Sequence, residues 1–155
     1  MEKNKVYFAS PWFTPEQEER EERLKAKLRS LGFNVWSPKE EAICGAMSDQ
    51  ETRQRIFVGN CDAINDCNIV FAITDGKDMG TIWEAGYAYG YNELFKFCRC
   101  EPIKIVYYCE TLGNNQFNLM LAQSGDIVIT KFEDLDNLPA LIERGEKVAY
   151  VGLVE

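Results

Sequence analysis

The stretch Asp78-Met79-Gly80-Thr81-Ile82-Trp83-Glu84-Ala85-Gly86-Tyr87-Ala88 puts two carboxylates six residues apart, across a turn-rich loop and the start of a helix. A carboxylate held in place and ionised can act as a nucleophile, and a second acid beside it can move a proton. A position near a helix N-terminus favours the ionised form, and Trp83, Tyr87 and Tyr91 are expected to surround Glu84 with apolar rings. Thr81-x-x-Glu84 also fits a capping box, in which Glu84 only reaches back to the Thr81 N–H. On the motif alone both readings stand, although ligand binding by itself would not require the pairing of Asp78 with Glu84. The chain contains no His, so the commonest general base and metal ligand is missing. Carboxylates, Tyr, Lys or Cys must carry any catalysis.

The elements that would position these groups follow from hydrophobic pattern and punctuation. Lys5 to Ala9 is a β-rich run stopped by Ser10-Pro11. Thr14-Pro15-Glu16-Gln17 combines an N-cap Thr, a first-position Pro and a capping-box Gln, and Leu24, Leu28 and Leu31 continue a helix that Gly32 ends. The pairs Glu16/Arg20, Glu19/Arg23 and Glu21/Lys25 stand at supportive spacing on what reads as a solvated face. Phe33 to Trp36 reads as a strand with Ser37-Pro38 as its exit, and Lys39 to Met47 as an irregular loop. A capping box at Ser48-Asp49-Gln50-Glu51 opens a helix to about Cys67, with Ile56, Ala63 and Ile64 inward. Asn68 to Thr74 is continuously apolar and β-rich, as a strand covered on both faces must be. After the Asp75 to Gly80 loop come a helix from Thr81 to about Phe97, a strand from Ile103 to Tyr108, a loop and short helix over Asn114 to Ala122, a strand at Ile127 to Ile129 and a helix from Leu135 to Arg144. This alternation predicts βαβ units in a flavodoxin-like α/β fold: an open, parallel, five-stranded sheet with helices on both faces. Ligands then belong beyond the carboxyl ends of the strands, among the loops after the first, third and fourth. Neither GxGxxG after the first strand nor a P-loop is present.

The composition narrows the function further. The 155 residues suit one domain, and a formal charge of −8 with no basic stripe excludes nucleic-acid polymers and anionic membranes as natural partners. The six cysteines (Cys44, Cys61, Cys67, Cys98, Cys100, Cys109) form no CxxC pair and read as reduced core residues, so no metal site is expected. Met1 to Lys5 leads straight into the first strand without a signal-like apolar region, and no run approaches the roughly 20 apolar residues of a membrane span. A cytoplasmic protein is expected.

Val6-Tyr7-Phe8-Ala9, the Asp78-x-Gly80-Thr81-x-x-Glu84-x-Gly86-Tyr87-Ala88 segment and Phe117-Asn118-Leu119-Met120 together resemble, in order and spacing, the nucleoside 2-deoxyribosyltransferase family. The resemblance spans most of the chain. It implies transfer of a 2-deoxyribosyl group between nucleobases, without a cofactor, on flavodoxin-like subunits assembled into dimers or hexamers. Glu84 would be the nucleophile, Asp78 would protonate and orient the base, and Tyr7 would hold Glu84. Asn118 would reach a sugar hydroxyl from a neighbouring subunit, Met120 would pack near the nucleophile, and Gly80 would belong to the substrate site. Where some members carry an Asp on the helix before the third strand, this chain has Asn60, with Asp62 two residues later.

The chemistry this implies needs neither metal nor imidazole. A nucleobase leaving C1′ generates an oxocarbenium-like state that one carboxylate can trap as a glycosyl ester while a second acid protonates the base. Two displacements give net retention. Trp12, Phe13 and Trp83 fit either a base-stacking platform or the core. A neutral nucleoside suits an acidic chain better than a nucleotide, for whose phosphate only Lys77 and Arg53 stand nearby. Two other readings fit the same elements: an N-glycoside hydrolase of this fold acting on deoxynucleosides or deoxynucleotides, in which water replaces the acceptor base, and a non-catalytic nucleotide-sensing module.

Overall fold

A computed structural model describes residues 4–41, 49–98, 101–145 and 147–155. Cys44, Ser48, Cys100 and most of the loop expected over Lys39 to Met47 lie outside the described residues. Five strands, β1 (Lys5–Ala9), β2 (Asn34–Trp36), β3 (Ile69–Ile73), β4 (Lys104–Tyr108) and β5 (Ile127–Ile129), form one parallel sheet in the order β2-β1-β3-β4-β5. The chain adds β2 outside β1 and then returns past β1 to add β3. The switch point therefore falls between β1 and β3, where Tyr7 pairs in register with Trp36 on one side and Val70 on the other.

Period-2 alternation divides the strand residues between two cores. On one face Val6, Phe8, Phe71 and Tyr108 pack against Leu24 and Leu28 of α1 (Pro15–Ser30) and Leu138 of α6 (Leu138–Arg144). On the other, Tyr7, Ala9, Val70, Ala72 and Tyr107 meet Ile64 of α3 (Gln50–Asn65), Ala85 and Ala88 of α4 (Met79–Phe95) and Ala122 of α5 (Leu119–Ser124). All five β3 residues are buried, as expected for a doubly covered strand. Ala85 and Ala88 of α4 face Ala9 and Ala72 of the sheet in this second core, so small side chains on both sides let the helix ride close to β1 and β3.

Several expectations are corrected. Pro38–Glu41 forms a short helix, α2, where an irregular loop was expected. Asp49 caps α3 by accepting from the Thr52 N–H, and Ile56 on that helix is half-buried rather than buried. The last helical segment begins as a 3-10 helix at Phe132–Asn137 before α6 takes over. The charged face of α1 is not simply solvated: Glu21 and Lys25 are buried, with Lys25 Nζ 2.8 Å from Glu21, 3.1 Å from Glu22 and 2.9 Å from Glu40 of α2. Spacing foresaw the Glu21/Lys25 pair, but the burial comes from α2, which lays Glu40 and Lys39 over it. Arg23 pairs with Glu110, the residue after β4 and Cys109, rather than Glu19.

Candidate active site

Glu84 sits in the second turn of α4, and the close approach of that helix brings it to β1. The Tyr7 hydroxyl donates to Glu84 Oε1 at 2.6 Å, joining residues 77 apart in the chain. The Tyr7 ring is wholly buried and stacks on Trp36 at 5.1 Å between centroids, so its hydroxyl has little freedom to turn away. Tyr7 is thus both a buried strand tyrosine and the partner of Glu84.

The Thr81 capping box is not formed. Asp78 is the N-cap of α4, its Oδ2 accepting from the Thr81 N–H at 2.8 Å and the Thr81 hydroxyl at 3.0 Å. The helix begins at Met79, two residues before the expected Thr81, because Asp78 is the stronger cap in this loop. Glu84 is therefore released from helix capping, and its oxygen is bound by Tyr7 instead. A Cβ on Gly80 would stand 3.1 Å from Asp78 Oδ2, so glycine keeps room for the capping carboxylate. The turn leading to Asp78 is left-handed at two successive residues, Gly76 (φ +81°) and Lys77 (φ +54°).

Electrostatics correct a second expectation. Burial pushes the Glu84 carboxyl up to about 7, the Tyr7 hydrogen bond pulls it down, and the negative charge of Asp78 raises it again. The helix N-terminus does not hold Glu84 fully ionised. Tyr7 is driven far above the ordinary phenol range by burial and then by the Glu84 charge, so it remains a donor. The Cys61 thiol of α3 is raised by burial, by Asp62 and by Glu84, which places it within electrostatic reach of the pair.

The remaining expected residues divide. Trp12 is half-buried, Phe13 is 73% exposed, and their rings lie 5.5 Å apart in the loop after β1. Trp83 and Tyr87 stack on each other at 5.4 Å, Phe57 of α3 tilts against Trp83 at 5.4 Å, and Tyr91 packs on Phe95. Trp83 remains 48% exposed, whereas Tyr87 and Tyr91 are half-buried against the core on the Glu84 side of the sheet. Asn60 is half-buried on α3, and Asp62 is exposed. Asn118 caps α5, accepting from the Met120 and Leu121 N–H groups at 3.0 and 3.3 Å, while Met120 is exposed. Thus Tyr7, Asp78 and Glu84 come together at the switch point, and Asn118 and Met120 stand at the start of another helix. Trp36 and Cys61 read in the sequence only as a strand residue and a reduced core cysteine, not as neighbours of the site. The register that puts Trp36 beside Tyr7 was the one signal available for the first, and no pattern singled out the second.

Among the described residues no three His, Cys, Asp or Glu side chains converge as a metal-holding group, and no helix is long and apolar enough to cross a membrane. A separate cavity of about 380 Å³ runs along β5 beside α6, lined by Val128, Thr130, Asp134 and Arg144, and contains none of the candidate site residues.

Comparison with known proteins gives a consistent picture. The profile of the nucleoside 2-deoxyribosyltransferase family matches residues 6–138. A 2-deoxyribosyltransferase from Bacillus psychrosaccharolyticus is similar in structure, at 25% identity and TM-score 0.77, over 95% of this chain and 99% of that one. A conserved protein from Enterococcus faecalis V583 (21% identity, TM-score 0.69, 91% and 98% covered) and a CMP N-glycosidase from Clostridium botulinum (19%, 0.54, 91% and 99%) share the fold. No curated protein sequence matches the chain.

Proposed function

The chain belongs to the nucleoside 2-deoxyribosyltransferase family, an enzyme family acting on nucleosides and bases, and we propose that it exchanges nucleobases on a 2-deoxyribosyl group by double displacement at Glu84. The observation that carries this reading is the 2.6 Å hydrogen bond by which Tyr7 fixes one Glu84 oxygen. A carboxyl with its midpoint at about 7 is substantially ionised at neutral pH, and its free oxygen can attack C1′ from the side opposite the base. The C1′–N bond breaks, its electron pair goes to the base, and Asp78 relays to the base a proton taken from solvent. Both capping bonds of Asp78 fall on Oδ2, which leaves Oδ1 to face a ligand. An incoming base then reverses the sequence, so the β-configuration returns. Trp12 and Phe13 would stack the base, with Gly80 and Asn60 beside it.

The enzyme works as an oligomer on this reading. Met79, Trp83, Gly86, Gly90 and Leu94 are exposed along α4, and between Asp78 and Glu93 the helix carries no charge except Glu84. A helix apolar on its outer face needs a cover, and a second copy supplies one together with Asn118 and Met120. Free nucleosides and bases as substrates make this salvage chemistry, and a cytoplasmic location goes with it.

Incubation with 2′-deoxyinosine and adenine, followed by chromatography, should yield 2′-deoxyadenosine and hypoxanthine. With donor alone, a peptide containing Glu84 should gain the mass of one deoxyribosyl unit. Products of α-configuration, or exchange without an adduct, would discard double displacement. Free deoxyribose in place of exchange would make the enzyme a hydrolase, and binding without turnover a sensor.

A further inference from the structure

Gln17 lies in the first turn of α1, on the face of the sheet opposite Glu84, and reaches the site only across the carboxyl edge of the strands. Its Oε1 accepts from the Thr14 N–H at 3.2 Å, the ordinary capping-box bond, and from the Phe13 N–H at 2.9 Å, one residue outside the helix. Its Nε2 lies against Gly76, 3.4 Å from where a Cβ would stand. One carboxamide thus touches both loops of the switch point: the loop of Trp12 and Phe13, and the turn that delivers Asp78.

Helix capping does not account for a Gln here. A capping box accepts Glu equally well, and the helix dipole prefers it in the first turn. The neutral amide matters on its other side, where the turn contains Asp75 and Asp78. The nearby cation on the same helix, Arg20, is already held by Glu16 and Glu110. The turn also needs holding, because Lys77 keeps a positive φ that a non-glycine residue retains only when its surroundings impose it.

We propose that Gln17 is a positioning residue of the site, its carboxamide setting the Trp12–Phe13 loop and the Gly76–Asp78 turn at a fixed separation; as a role in catalysis this rests on the function proposed above. Gln17→Glu is the discriminating variant. It keeps the capping oxygen but replaces the neutral amide nitrogen that lies against Gly76 with a charged oxygen, beside a turn that contains Asp75 and Asp78. Gln17→Ala, which loses the capping-box bond and the Gly76 contact together, sets the full cost of losing the side chain. Gln17→Glu should melt like the parent, while amide exchange over residues 75–81 accelerates on the order of fivefold and exchange over 13–20 is unchanged. Its kcat should fall by about fivefold with KM within about twofold, because the turn it loosens carries Asp78, which acts in the chemical step, while the aromatic loop that binds stays set. Parental exchange at 75–81 together with parental kcat would overturn the proposal and leave Gln17 a cap. A melting point lowered as far as that of Gln17→Ala would overturn it too. If the parent neither transfers nor hydrolyses, the functional reading fails, and the exchange pattern decides on Gln17 by itself.

Discussion

Glu84 combines a buried carboxyl with a single fixed donor, and this sets its behaviour with pH. Its folded midpoint of about 7 stands above the ordinary 4.5, so the native state holds a proton that the unfolded chain releases. Stability contributed by the neutral carboxyl is therefore full below about 4.5 and is lost as pH rises to about 7. Glu84→Gln keeps an acceptor for Tyr7 without a charge. It should be more stable than the parent at pH 8 by about 1–2 kcal/mol, allowing for partial exposure, and nearly equal at pH 4. Thermal melts at the two pH values check this. The same variant should lose at least about a thousandfold in transfer, since the amide cannot form the ester. In the parent, kcat/KM should rise with pH through about 7 as the carboxylate appears. Because the Tyr7 hydrogen bond lowers the Glu84 midpoint, Tyr7→Phe should shift that limb to higher pH as well as slow the reaction, which a pH–rate profile of the variant reads.

At the scale of elements, Asp78 has two duties that substitution separates. Asp78→Asn can still cap α4, so it should fold normally and be slowed most with poorly leaving bases. Asp78→Ala should in addition lose about 1 kcal/mol of stability. Equal melting of the two variants would remove the capping duty. The contact of α1 with α2 makes a larger demand: Lys25→Ala leaves Glu21 buried beside Glu22 and Glu40 and should cost about 3–5 kcal/mol, read by denaturant unfolding. These elements also mark how far the sequence can be read. The apolar run of β3, the capping box at Thr14 and the leucines of α1 are local signals, and each element formed where they stand. The apolar signals around Asp78 to Ala88 likewise placed α4 correctly to within two residues. Asp78 as the cap is not legible in the sequence, because Thr81-x-x-Glu84 offers the fuller capping-box pattern. Nor are the burial of Glu21 and Lys25, the Glu84 midpoint or the contact of Gln17 with Gly76, since each depends on a segment remote in the chain. Leu135 to Asn137 reads as α-helix in the sequence, although it lies in the 3-10 helix Phe132–Asn137, because 3-10 and α turns share their apolar spacing over so short a run.

For the molecule as a whole, the uncharged outer face of α4 predicts a particle larger than the 17.8 kDa chain. Light scattering should show at least a dimer, and Gly86→Glu, which sets a charge on that face where a Cβ meets open space, should give monomers with little transfer activity. A fully active monomer would contradict this. Strand order has a further consequence, for the chain as it is made. Tyr7, Asp78 and Glu84 all lie in residues translated before β4, yet β4 is the strand that closes the second edge of β3. While residues up to 103 have left the ribosomal exit tunnel and β4 is still inside it, the nascent chain already holds the whole proposed catalytic group and exposes its most apolar strand along one open edge. Such an edge pairs readily with any other strand. A translational pause in that interval should recruit holding chaperones to the nascent chain, whereas the released, completed chain should not retain them.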